Sequence, residues 1–528
     1  MALFTSALAS VAYAREGRLE LSAIDRDSGK PIAVRVHLVN VATKRPVRPA
    51  GAPSLGDHFV FFDRIALELP LGSYRFMMER GPEYLERTGH FTINNYADDR
   101  KTVDMKRFVN MADEGWYGGD LDMLRSDREI EQLMLAEDLY IAALVTSTNP
   151  KNESGLTAMR KSAEVKAAGD PVRFEGNRFY TRLAAEDSRG GNFLLMFNQP
   201  EPPKLPPVSA TSYPSSLTIA AAARQAGGFV DAARPFSWDL PIWVAAGKLD
   251  SVEIAHRHLL RDGVIGHEAG GRPHDPETYP RSLGVAHWTL DIYYHLLNCG
   301  LRLPPTAGSG SGHVVASLRD ARATTATKMA NSSTKTSPAA SSATNNFNPV
   351  GYNRIYVFVE GELTWEKWWQ GLRAGRSIIT NGPLIRPTVE GRPPGHVFKA
   401  DRGQTVELEI GLSLSTREKI GYLEIVKDGA VAHNVRLDKW KESGGKLPQL
   451  TFTESGWFLV RAVADEPRTY RFATTAPYYV EIGYTPRISK ASAQFFVDWC
   501  REAQKRLTSA KFSSEREHDE VAGYWRRA

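Results

Sequence analysis

From about residue 109 to residue 385 the sequence switches repeatedly between short apolar runs and helical spacing. This alternation constrains the fold most. Strands connected through helices run parallel, and the helices must cover the faces of the sheet they connect. Tyr140 to Thr146, Asn192 to Asn198, Phe229 to Ala232, Ser251 to His256, Arg354 to Val359 and Ser377 to Thr380 read as strands. Asp127 is placed to cap a helix through Leu139, with Ile130, Leu133, Met134 and Ala136 on its apolar face. Ser215 to Ala226, ended by Gly227-Gly228, Trp288 to Cys299, ended by Gly300, and Thr364 to Arg373, ended near Gly375, read as further helices. The simplest closed form of such βα units is a barrel. Chemistry in barrels gathers at the C-terminal ends of the strands, where Asp122, Glu186, His258 and Ser309 fall.

The flanks read differently. Residues 15–108 alternate with period two, as in Leu19 to Ile24 and Val34 to Val39, with turn chemistry at Asp25 to Pro31 between them. Residues 386–484 return to that pattern in Thr405 to Ile410, Tyr422 to Gly429 and Trp457 to Ala462. The expected fold class is therefore α/β, a (β/α) barrel flanked by N-terminal and C-terminal β-sandwich modules. Residues 485–528 form a closing helix and tail, with Phe495, Phe496, Trp499 and Cys500 near one helix face. Residues 313–347 interrupt the barrel pattern. They are low in complexity and poor in large apolar side chains, and read as a disordered insertion at the active-site face.

Bulk properties exclude some classes. A formal net charge of +5 over 528 residues, with no dense Lys/Arg stripe, argues against nucleic acid as a partner. Two cysteines far apart, Cys299 and Cys500, make neither a disulfide framework nor a thiolate zinc site. No later run approaches the ~20 apolar residues of a membrane span. Leu3 to Ala14 is apolar and ends Ala12-Tyr13-Ala14 before Arg15-Glu16, the small-x-small pattern of a signal-peptide cleavage site. Residues 1–14 are therefore expected to be the remnant of a signal peptide, and the protein to be exported, periplasmic or extracellular.

Several motifs stand in a definite order. Gly119-Asp120-Leu121-Asp122-Met123-Leu124 opens the βα region, and its two aspartates, two apart on a strand, point the same way. Ala136-Glu137-Asp138-Leu139-Tyr140 follows, then Glu186-Asp187 before Ser188-Arg189-Gly190-Gly191, then Ala232-Ala233-Arg234-Pro235, then His256-Arg257-His258. Gly308-Ser309-Gly310-Ser311-Gly312 and Thr380-Asn381-Gly382-Pro383 complete the series. This order resembles the PHP-type metallohydrolases, the polymerase-and-histidinol-phosphatase superfamily, and within it the CehA/McbA-like branch. The resemblance spans roughly residues 110–485. The family opens with Gly-Asp-Leu-His-x-His; here the histidines fall on Asp122 and Leu124. Tyr140 stands where the branch has His, Arg234 replaces the His of its Ala-His-Pro segment, and Gly310 and Gly312 replace the Asp and His of the closing motif.

The resemblance implies a (β/α) barrel that holds divalent metal, Zn, Mn or Fe, and no organic cofactor. It implies hydrolysis of an ester, amide or phosphoester by metal-activated water. Asp120, Asp122, Glu137, Glu186 and His258 are the expected metal ligands. His256 is the expected base or an extra ligand, and Arg234 is placed to hold a substrate anion, since a guanidinium cannot ligate metal but binds carboxylate or phosphate. The substrate would be a small molecule or an anionic one. The lost histidines leave a second reading open, a non-catalytic ligand-binding or scaffold protein on the same barrel.

Overall fold

A computed structural model of the chain describes residues 16–149, 170–201, 203–207, 212–313 and 348–528. The expected leader at residues 1–14 and the insertion, apart from His313, lie outside the described residues. The structure is rich in β-sheet, of mixed α/β class, with sandwich-like sheets, and it divides into two compact units.

The first unit comprises residues up to Phe108 together with Leu135–Glu137. The strands Arg64–Pro70, Glu16–Asp25 and Asp98–Met105 form one sheet. Ser54–Leu55, His58–Phe62, Ala33–Asn40, Gly72–Glu79 and Arg87–Ile93 form the other. Alternation decides which side chains fill the space between them. Leu19, Leu21 and Ala23 from one sheet meet Val34, Val36, Leu38, Phe59, Phe61 and Tyr74 from the other. Arg35, His37 and His58 fall on the opposite face of their sheet, yet all three are buried.

The second unit holds the remaining residues. Its main sheet runs through Pro305–Ala307, Ser251–Ala255, Phe229–Ala232, Leu194–Phe197, Arg178–Asp187, Ile141–Thr148 and Trp116–Met123. Most neighbours are parallel, as βα units require, but Leu194–Phe197 pairs antiparallel with both of its neighbours. Met123 makes a parallel bridge to Ser311, just beyond Pro305–Ala307, so this path of strands comes back on its first member. The helices Asp127–Ala136, Ser216–Gln225, Gly284–Asn298 and Trp365–Arg373 follow the amphipathic spacing of the sequence. Thr364 caps the last of them, its hydroxyl accepting from the Lys367 amide at 3.2 Å.

From Trp116–Met123 the same sheet continues through Arg354–Phe358 and Ser377–Thr380 to Phe472–Thr475 and Gly456–Ala464. A three-stranded sheet of Leu384–Val389, Val406–Ser415 and Lys446–Phe452 packs on this extension. Ile385, Ile410 and Leu450 from the small sheet share a core with Leu423, Phe458 and Val460. The helices Lys490–Leu507 and Glu515–Arg527 close the chain, burying Trp499 and Trp525. Among the described residues, no helix is long and apolar enough to cross a membrane.

Candidate functional site

The strand ends of the returning sheet carry an unusual density of buried charge. Asp120, Asp122, Glu186, Asp231 and Glu253 are each less than 5% exposed. Parallel pairing explains how they meet. Each strand delivers its last residues to the same edge, and register sets Asp120 beside Ala142 and Thr148 beside Glu186. Such a set of acids is costly unless each is protonated, bonded or matched by a cation.

Arg257 supplies the cation. It follows Ser251–Ala255 directly and turns its guanidinium into the acids. Nε donates to Asp122 Oδ2 at 2.9 Å and Nη2 to Oδ1 at 3.0 Å. Nη2 also donates to Glu186 Oε2 at 2.7 Å, and Nη1 to His313 Nδ1 at 2.9 Å. Because arginine only donates, the His313 Nδ1 must be bare, and its Nε2 lies 3.1 Å from Asp122 Oδ1. Burial by itself would raise the Asp122 and Glu186 carboxyls; the charge of Arg257, with the polar imidazole of His313 beside it, more than offsets this and holds both below their ordinary values. Burial also opposes charge on Arg257, but Asp122 and Glu186 keep it firmly protonated.

The other acids are satisfied differently. Asp120 accepts backbone N–H bonds from Ser309 at 2.9 Å, Gly351 at 2.7 Å and Asp122 at 3.2 Å, so it ties together loops rather than facing an open position. Asp231 accepts from the hydroxyls of Ser251 and Thr306, and burial pushes it up to about 7. Among the described residues, Glu253 finds no hydrogen-bond partner for either carboxyl oxygen, and burial, then Asp122, raises it well above the usual range. Gly308 explains how Glu253 and Asp122 fit side by side. A Cβ there would stand 2.3 Å from Asp122 Cβ and 2.5 Å from Glu253 Oε1. Gly310, at φ +66°, likewise passes where a Cβ would stand 2.3 Å from Arg257 Cβ.

The remaining expected site residues separate. His256 lies inward, Nε2 at 2.9 Å from Thr289 Oγ1 and Nδ1 accepting from the His258 amide at 3.3 Å. Burial, then Arg234 and Arg257, lowers it to about 3, so it is neutral with both nitrogens engaged. His258 is buried edge-on to Phe236, with no hydrogen-bond partner on either nitrogen among the described residues. Arg234 stacks on Phe193 with its guanidinium carbon 3.5 Å from the ring centre, and its Nε has no hydrogen-bond partner among the described residues. Glu137 belongs with the first unit, where it accepts from Arg35 Nε at 2.7 Å.

Among the described residues, two groups of three have the chemistry and spacing to hold a metal ion: Asp122, Glu186 and His313, and His37, Asp57 and His58, each with ligand atoms within 4.8 Å of one another. In the first group the carboxylate oxygens that would face an ion already face Arg257. A divalent ion needs these atoms at about 2.0–2.3 Å, while the guanidinium nitrogens sit on the Asp122 and Glu186 oxygens at 2.7–3.0 Å. With Arg257 in this position the group does not fit an ion. Sequence reasoning reached Asp122 and Glu186 but not Arg257, Glu253 or His313. The available signal was charge: several acids at strand ends, too few histidines for metal, and one arginine between the two histidines that drew attention.

No protein-family model and no curated protein sequence matches the chain. Solved structures similar to part of it include the Bacillus anthracis TIE protein, 18% identical over 21% of this chain and 20% of that one, with a TM-score of 0.14. Another is the fibronectin(III)-like modules of Clostridium thermocellum CbhA, 14% identical over 19% of this chain and 98% of that one, also at 0.14. The chain thus spans about a fifth of the length of the first of these, and likeness at this level carries no functional argument.

Proposed function

We propose that the returning sheet is a PHP-like (β/α) barrel of metallohydrolase type in which Arg257 has taken the place of the metal, and that the exported protein binds a small anionic ligand without hydrolysing it. The contacts of Arg257 to Asp122 and Glu186 carry this reading, because they use the carboxylate oxygens that an ion would need. Removing water from a guanidinium and two carboxylates is costly, and the cost is offset only by close, multiple bonds of this kind. A second set of side chains supports a ligand nearby. Among the described residues, Arg234 Nε and both nitrogens of His258 are buried without hydrogen-bond partners, and buried polar groups are ordinarily bonded. A carboxylate or phosphate suits such a lining.

The test combines zinc content and anion binding. In wild type, His313→Ala is expected to leave zinc content unchanged, whereas Arg257→Ala gains an ion that His313→Ala then removes. Phosphate or acetate is expected to raise the melting temperature of wild type and not of Arg234→Met. The competing reading, a metal-dependent hydrolase of esters, amides or phosphoesters using Zn, Mn or Fe, draws on the convergence of Asp122, Glu186 and His313. Wild-type zinc lost in His313→Ala, together with turnover of an ester or phosphoester panel, would establish that reading instead.

A further inference from the structure

The face of the five-stranded sheet turned away from its core carries a second polar cluster. Val36 pairs with Phe59 across antiparallel strands, so the next step of the register sets His37 opposite His58. Their ring centres are 5.3 Å apart. Asp57 lies at the tip of the tight hairpin in which Leu55 pairs with His58. Its Oδ2 is 3.2 Å from His37 Nδ1 and its Oδ1 is 3.2 Å from His58 Nδ1. The two histidines are 7% and 4% exposed, while Asp57 opens to solvent.

We propose that His37, Asp57 and His58 form a divalent-metal site of the class that takes zinc. Two imidazoles and one carboxylate are a borderline donor set, and the exposed side of Asp57 leaves room for water as a further ligand. The surroundings match what such sites need. The far nitrogen of His37, Nε2, lies 3.3 Å from Glu79 Oε2 and 3.2 Å from Arg35 Nη1; with an ion on Nδ1 it would carry the proton and donate to Glu79, the carboxylate behind a ligating histidine that fixes its orientation. Glu79 is itself held by Arg35 Nη2 at 3.0 Å, and Arg35 by Glu137 at 2.7 Å. Asp57, Glu79 and Glu137 all act on the guanidinium of Arg35, so the cluster is rich in carboxylate, a setting that suits a divalent cation. The ion would clip the hairpin at Ser54–Phe62 to the strand Ala33–Asn40.

The test uses the full chain, stripped with chelator and titrated with Zn2+, and with Co2+ followed by its visible absorption. One equivalent is expected to bind, with the cobalt band present in His313→Ala and weakened at least tenfold in His58→Ala and Asp57→Asn. Glu79→Gln is expected to weaken binding about 10–100-fold while leaving the ligands in place. Unchanged affinity in Asp57→Asn, absence of a cobalt band, or loss of binding in His313→Ala would each overturn the assignment, leaving two imidazoles that only donate hydrogen bonds to Asp57. Should His58→Ala unfold, Asp57→Asn decides, because that side chain is at an exposed hairpin tip.

Discussion

At the scale of single residues, Arg257 is the most consequential side chain. Arg257→Met would leave Asp122 and Glu186 buried without their counter-charge. Removing one partner of a buried ion pair typically costs about 3–5 kcal/mol, and urea unfolding should show a loss of that size; a change under ~1 kcal/mol would mean the acids find other partners. Asp231 gives a separate pH signature. Burial raises it from its ordinary 3.8 to about 7. An acid whose folded value lies above its unfolded one contributes stability that is full below about pH 4 and is lost as pH rises to about 7. Asp231→Asn removes that titration, so the variant should gain about 2–3 kcal/mol on wild type between pH 5 and pH 8. A constant difference across that range would show that Asp231 is already ionised at pH 5. Of this site, the sequence disclosed the acids, because carboxylates two apart on a strand share a face. It did not disclose their partner. His313 lies 56 positions beyond Arg257 and the glycine loop before it has no period, so nothing local links them.

At the scale of elements, legibility followed the strength of the local signal. The helix expected at Thr364 to Arg373 is found at Trp365–Arg373, because a capping threonine and a stripe of tryptophans leave little freedom. Thr364→Ala should cost about 1 kcal/mol, read from the urea midpoint; no change would assign the cap to packing alone. The reversal of Leu194–Phe197 was not legible. A run of four buried apolar residues shows the same pattern in either direction, and only the hydrogen-bond register distinguishes them. The loop after Pro305–Ala307 is specified by space rather than by propensity. Gly308→Ala would drive a methyl into Asp122 and Glu253, and overpacking of this kind costs about 1–3 kcal/mol. A variant as stable as wild type would show that the loop yields.

At the scale of the whole molecule, the two metal-capable clusters lie in different compact units and are stabilised by opposite means. The Asp122 cluster has an internal cation and should be indifferent to chelators. The His37 cluster, with Arg35 behind His37 and Asp57 open to solvent in front, should depend on a bound ion. Hydrogen exchange separates the two cases residue by residue, because protection reports the local free energy of opening. With zinc present and then removed by chelator, amides of Ala33–Asn40 and His58–Phe62 should exchange faster, while those of Trp116–Met123 and Ser251–Ala255 stay unchanged. A factor of ten in exchange corresponds to about 1.4 kcal/mol of local stability, well within reach for a clip that joins a hairpin to its neighbouring strand. If protection falls instead in Trp116–Met123 and Ser251–Ala255, the ion sits among Asp122, Glu186 and His313, Arg257 has moved aside for it, and the hydrolase reading takes the place of the binding one. If protection falls in neither pair of strands, both clusters are held by hydrogen bonds and internal charge alone, and the histidines of the first unit serve the same purpose that Arg257 serves in the second.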